Sequence, residues 1–403
     1  MATTIPERNK GADWVSVEQL GIDPYPTYDR LRHEGPVMWV PTLGRHVTAS
    51  YAAAVGVEDD PETFTAWEPD GHSTMLRTMQ GRPMNRKDDP GHLADRQVEV
   101  PPLRPRAIKR TWLDVFDRTS DRFINDFVAA GPNANFMTHF AGPYAADNLR
   151  QIIGFPNVDH SDVKRWSRDL VDGIGNVTDD PAIWARTERT NAEIDAAIAE
   201  MIPYYRENAD DTLLSGFLHS ELPMESIVAN IKLTISGGMN EPQNVVASAV
   251  HALLTLPEQR ALVDSGTYDF AAVFDEAVRW KTPIGMFPRT VTRDTEYFGA
   301  HLRSGDKISV LTGAANRDGA VFERPAEFDL ARPKHPHFSF GSGTHMCAGM
   351  WVAKASVGQV ALPKLFRRLA GLALSKAREP EEYGWVFRGL TDLPLTWTSV
   401  KED

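Results

Sequence analysis

The 403-residue sequence has a single cysteine, Cys347. A lone thiol excludes an intramolecular disulfide and the multi-cysteine sets that hold structural zinc and iron–sulfur clusters. No run of about 18 apolar residues occurs, so no conventional spanning helix is expected. The opening stretch Met1–Trp14 is polar and carries Glu7, Arg8, Lys10 and Asp13. No apolar stretch follows, so no signal peptide is expected and the expected location is cytoplasmic. Basic charge is in deficit, with 43 Lys and Arg against 55 Asp and Glu and a net charge of −12. That balance argues against nucleic acid as a partner, because phosphates need a basic face. No Gly-x-Gly-x-x-Gly follows a strand-like run, so a built-in flavin or nicotinamide site is excluded too.

What is present reads as one large domain over residues 1–403, mainly α with a small β portion (α+β). A short helix is expected at Tyr25–His33, and strands at Val37–Pro41 and Arg45–Ala49. The polar stretch Glu68–Arg86 predicts a mobile loop. Apolar residues recur at helical spacing over 114–129, 140–154 and 188–207. A longer helical pattern covers about 225–256, interrupted by Gly237 and Gly238 and kinked at Pro242, which lacks a backbone N–H. Two helices follow at 258–264 and 268–281. Short strands are expected at Pro288–Arg293, Glu296–Phe298 and Ile308–Thr312. A helix covers 350–370, and Trp385–Thr398 alternates like a strand hairpin.

Cys347 lies in the glycine-punctuated run Phe340-Gly341-Ser342-Gly343-Thr344-His345-Met346-Cys347-Ala348-Gly349. Glycines allow tight turns and close approach to a flat ligand. A helix begins just beyond the cysteine, and a helix N-terminus favours a thiolate. On its own a lone cysteine is most often a small buried hydrophobe. The surrounding spacing, Phe-x-x-Gly-x-x-x-Cys-x-Gly over 340–349, reverses that reading.

This loop resembles the haem-binding loop of the cytochrome P450 family, and the likeness extends over about residues 15–398. It implies the P450 fold, haem b held by Cys347 as axial thiolate, and Phe340, Gly341 and Gly349 shaping the haem loop. Glu276 and Arg279, at i and i+3 on one helix face, resemble the family's structural Glu-x-x-Arg pair. Ala315–Asp318, followed by Phe322, Pro325 and Phe328, resembles the stretch that completes it, with Arg332 or Arg317 joining. His92, Arg96, Arg289, His337 and His345 are the implied contacts of the haem propionates, whose charge calls for charge-assisted donors. The chemistry implied is monooxygenation with O2. Its electrons come from NAD(P)H through a separate flavin/iron–sulfur reductase or ferredoxin. The basic run Arg104–Arg110 is either a docking patch for that partner or a solvated face.

Most members carry an acid followed by Thr in the central helix. Here Asn240 occupies the acid position and Glu241 the Thr position, and both are the candidate catalytic residues. Gly237-Gly238-Met239-Asn240-Glu241-Pro242 resembles the central helix of the bacterial guaiacol-type aromatic O-demethylases. The exit Cys347-Ala348-Gly349 and the segment Gly384–Gly389 are similar as well. The resemblance implies a small methoxyarene substrate, such as guaiacol or a 4-alkylguaiacol. Its contacts would be Ile174, Leu233, Gly237, Ile284, Phe287 and Phe387. A peroxide-driven peroxygenase, a hydroxylase of another small hydrophobic substrate and a non-catalytic haem sensor remain open alternatives.

Overall fold

Residues 11–69, 71 and 73–402 are described by the computed structural model. The chain divides into two compact units, each assembled from three separate stretches. The first comprises Met1–Glu68, Glu276–Cys347 and Glu382–Gly389; the second comprises Pro69–Asp275, Ala348–Glu381 and Leu390–Asp403.

The first unit holds the β portion. Its five-stranded sheet contains β1 (Val37–Val40), β2 (Arg45–Thr48), β3 (Phe64–Thr65), β4 (Met286–Val291) and β5 (Lys307–Leu311), in the order β1-β2-β5-β4-β3. β2 and β5 run parallel and the other pairs antiparallel, with Arg289 opposite Ile308. One apolar cluster forms against the helix Tyr51–Asp59, from Ala53, Val57, Phe64, Val291, Ile308 and Val310. Four of these strands fall within two residues of their expected positions, whereas the two-residue β3 has no counterpart among the expected strands.

The second unit is helical. Its core gathers Trp112, Phe116, Leu149, Ile153, Phe155, Trp166, Ile198, Phe217, Ile231 and Ile235. Through it runs the central helix Met224–Thr255, 32 residues long. The predicted interruption is absent: the helix continues through Gly237, Gly238 and Pro242. Proline removes one N–H, so the Gly238 carbonyl loses its i+4 donor while the flanking turns persist. Gly238 is a packing residue, because a Cβ there would lie 2.7 Å from Leu149 Cδ1 on the helix Gly142–Ile153.

Two further expectations are corrected. Residues 68–86 are not simply a loop. Ser73 caps a helix at Thr74–Met79, whose Met75 and Met79 pack on Ala229 and Ile174. The Met84 amide donates to Asn230 Oδ1 at 2.8 Å. Polar and charged neighbours hid this methionine spacing; Asp70 and His72 lie outside the described residues. Likewise, 385–398 does not close as its own hairpin. Leu395–Thr396 pairs with Ala373–Leu374. The carbonyls of Leu393 and Leu395 accept from Phe136 and Asn133, so the backbone groups a hairpin would use are already taken. Among the described residues no helix is long and apolar enough to cross a membrane.

Candidate functional site

In the first unit, the loop around Cys347 hangs from a buried polar network. Glu276 and Arg279, one turn apart on the helix Phe270–Trp280, pair through both carboxylate oxygens at 2.7 and 2.8 Å. Arg279 also donates to the carbonyls of Asn316, Pro325 and Glu327. Glu276 accepts from the Asp329 amide and from Arg332 Nε. Arg332 therefore joins the pair. Arg317 instead donates to the Trp280 carbonyl and stacks on Tyr25. Removing one member of such a buried pair costs about 3–5 kcal/mol, since the remaining charge is stranded.

Sequence reasoning missed how this network reaches the loop. Buried Asn316 donates to Thr282 Oγ1 and Ser339 Oγ at 2.7 and 2.8 Å, and its Oδ1 accepts from the Phe338 amide. Ser339 donates to the Val278 carbonyl. The residues just before Phe340 are thus tied to the Glu-x-x-Arg helix. Only Asn316, inside the quoted Ala315–Asp318 motif, gave a signal for this.

Beyond Phe340 the backbone turns through Gly341 and Gly343, at φ 67° and 63°. This left-handed region favours glycine. A Cβ on Gly343 would lie 2.5 Å from the Glu58 carbonyl oxygen, so only glycine fits. The Cys347 amide donates to the Phe340 carbonyl at 2.9 Å, closing the loop with the cysteine exposed. Gly349 is the N-cap of the helix that starts at Met350. His345 ends a 3-10 turn, and the His337 ring lies 5.6 Å from that of Phe340.

Arg289 is buried and paired with buried Glu58, a residue the sequence gave no reason to select. Desolvation pushes the Glu58 carboxyl up, and the Arg289 charge opposes that rise. Its second oxygen, Oε1, is buried without a hydrogen-bond partner. The Arg289 charge is thus already shared with a protein carboxylate.

Ile284 and Phe387 face each other across an antiparallel bridge. The Gly285 amide donates to the Val386 carbonyl, and the Arg388 amide to Pro283. Gly285 is required there: a Cβ would fall 2.0 Å from the Trp385 carbonyl oxygen. Phe287 packs toward Phe338, and its ring edge lies against Gly341.

In the second unit, the central helix is buried along most of its length but half-exposed at positions that include Val228, Leu233, Thr234, Gly237, Gly238, Asn240, Glu241, Pro242 and Gln243. Of these, Leu233, Thr234, Gly237, Gly238 and Glu241, at i, i+1, i+4, i+5 and i+8, form one stripe. Gly237 leaves the stripe open: its missing Cβ would meet only Glu241 Oε1, at 3.7 Å. Glu241 therefore leans back over Gly237. Its Oε2 is buried with no hydrogen-bond partner, and desolvation pushes the carboxyl up to about 8, opposed only by its own amide. Asn240 Oδ1 accepts from Gln243 at 3.1 Å, and its Nδ2 is buried without an acceptor.

His92 and Arg96 lie one turn apart on the helix Gly91–Glu99. His92 is buried with Nδ1 3.0 Å from Asp89 Oδ1. Burial pushes its pKa down, against the pull of Asp89. With Nδ1 donating to Asp89, Nε2 becomes a donor only in the doubly protonated ring, a form a nearby anion would favour. Ile174 packs on Met75, Met79 and Ala229, and Leu233 joins the main helical cluster. In the basic run, Arg110 is held by Asp211, so that end is not a bare cationic face.

Among the described residues no group of three or more His, Cys, Asp or Glu could hold a metal ion. One sulfur donor on a glycine-turned loop fits a metal that brings its remaining ligands with it, as porphyrin iron does.

Residues 270–385 match the family model described as Cytochrome P450. Cytochrome p450 CYP199A2 of Rhodopseudomonas palustris is 28% identical over 410 residues, covering 98% of this chain and 97% of that protein. Cytochrome P450-SOY of Streptomyces griseus is 30% identical over 317 residues, covering 77% and 74%. The crystal structure of P450BioI in complex with an acyl-ligated Acyl Carrier Protein matches with a TM-score of 0.85 at 25% identity, over 93% of this chain and 99% of that one.

Proposed function

The chain belongs to the cytochrome P450 family of haem-thiolate monooxygenases, and on that premise we propose that it O-demethylates a small methoxyarene, guaiacol or a 4-alkylguaiacol. The balanced reaction converts the methyl ether, O2, NAD(P)H and one proton into the phenol, formaldehyde, water and NAD(P)+. The observation that carries this reading is the Glu241 carboxyl, whose Oε2 is buried without a hydrogen-bond partner on the open stripe of the central helix. It is supported by the likeness of 237–242 to the guaiacol-type O-demethylases.

Haem bound through Cys347 supplies dioxygen activation, the thiolate donating electron density that favours O–O cleavage. Cys347 would hold the iron, and by the family likeness His92, Arg96, Arg289, His337 and His345 are assigned to the propionates. Phe340, Gly341 and Gly349 keep the loop in shape. Glu241 holds a proton at neutral pH and delivers it from Oε2. Gly237 keeps the space before that carboxyl clear, and Asn240 orients polar groups beside it. By the same likeness, Ile174, Leu233, Gly237, Ile284, Phe287 and Phe387 are assigned as the substrate contacts. Electrons reach the enzyme in the cytoplasm from NAD(P)H through a flavin/iron–sulfur reductase or ferredoxin. Peroxide-driven turnover is the second reading, favoured by the same carboxyl acting as acid and base toward H2O2.

Titration of the ferric enzyme with guaiacol, 4-propylguaiacol and 4-methoxybenzoate tests the substrate class. A low- to high-spin shift with a guaiacol is expected. A shift with 4-methoxybenzoate alone, or with none of the three, overturns the guaiacol assignment.

A further inference from the structure

A second buried carboxyl lies in the helical unit with no part in the scheme above. Glu99, in the last turn of the helix Gly91–Glu99, keeps only 6% of its surface accessible. Its Oε1 accepts a hydrogen bond from Thr234 Oγ1 of the central helix at 3.1 Å. That hydroxyl also lies 2.9 Å from the Asn230 carbonyl, so it is held between an internal acceptor and the carboxyl. Thr234 and Glu241 are seven residues apart, which places them on one face about 10 Å apart along the axis. The turn between them carries Gly237, which has no side chain, and Glu241 reaches back over it. One hydrogen-bonded threonine and one open turn therefore separate two buried carboxyls.

We propose that Glu99 is the positioning residue that reloads Glu241 with protons, by way of the Thr234 hydroxyl and water over Gly237. Glu99 gives its proton to Thr234 Oγ1, which passes its own proton on across the open turn to the Glu241 carboxylate. Glu99 then regains a proton from solvent. No electron moves, and one proton enters for each one delivered. The charges around the start of this path are few. Arg96 favours the ionised form of Glu99 and Asp95 the protonated form, and Asp95 is itself held by Lys87 and Ser226. Burial, rather than a charged neighbour, raises the Glu241 carboxyl. Burial pushes the Glu99 carboxyl up to about 7 and that of Glu241 up to about 8, so both exchange protons in the neutral range.

This inference rests on Glu241 as the proton donor, and the variants separate the two. Glu99→Gln keeps an acceptor for Thr234 but cannot relay. In the haem-loaded E99Q enzyme with reductase, the ratio of dioxygen-driven to peroxide-driven product formation is expected to fall about tenfold, because peroxide brings its own protons. The solvent isotope effect should rise, and Glu99→Asp should restore most of the ratio. Infrared titration of the protein without turnover should show two protonated buried carboxyl bands, one missing in E99Q and the other in E241Q. An unchanged ratio in E99Q, or equal loss in both modes, overturns the relay. If Glu241→Gln loses no activity, it is the donor role of Glu241 that fails.

Discussion

Glu241→Gln is expected to lower dioxygen-driven product formation by about a hundredfold or more, within the range that loss of a positioned general acid produces. Substrate binding should change little, because Oε2 has no protein partner to lose. The pH profile gives the sharper readout. A donor must be protonated, so the wild-type rate should hold below about 8 and fall about tenfold per pH unit above it. E241Q should lose that arm.

Stability should move with the same group. Burial raises the carboxyl of the folded chain, so over the window from its ordinary value of 4.5 to about 8 the folded state keeps a proton that the unfolded state releases. Stability is therefore fullest at the acid end of that window and declines as pH rises. The decline is on the order of 3 kcal/mol, discounted for the partial exposure of the residue. Urea unfolding of E241Q should show a flatter dependence.

Cys347→Ser should abolish product formation and remove the red-shifted Soret band of the reduced carbon monoxide complex. A hydroxyl does not supply the thiolate that produces it. The fold should survive, because Cys347 is exposed and its loop bond is made by the backbone amide. An unfolding midpoint for the haem-free variant within a few degrees of wild type, together with loss of the band, separates ligation from folding. Retention of the band in C347S would refute the axial assignment.

Legibility in the sequence followed locality. The Glu276–Arg279 pair, the 340–349 loop and the bounds of the central helix each sit within one stretch of chain, where spacing speaks directly. Contacts between distant stretches were silent. Glu58 meets Arg289 231 residues away, and Thr234 meets Glu99 135 residues away. Neither carboxyl has a neighbour in sequence that marks it as buried. Glycine was ambiguous for a related reason. Gly237 keeps space open and Gly238 admits Leu149, yet the two adjacent letters read alike as an interruption. The methionine helix Thr74–Met79 was lost among polar neighbours because its apolar stripe is only a few residues long.

Oxidative removal of a methyl group is the proposed chemistry, and formaldehyde release measures it directly. With reductase, NAD(P)H and guaiacol, formaldehyde and catechol should appear in equal amounts, in step with guaiacol consumed. A hydroxylated guaiacol that keeps its methyl group, with no formaldehyde, would contradict the account.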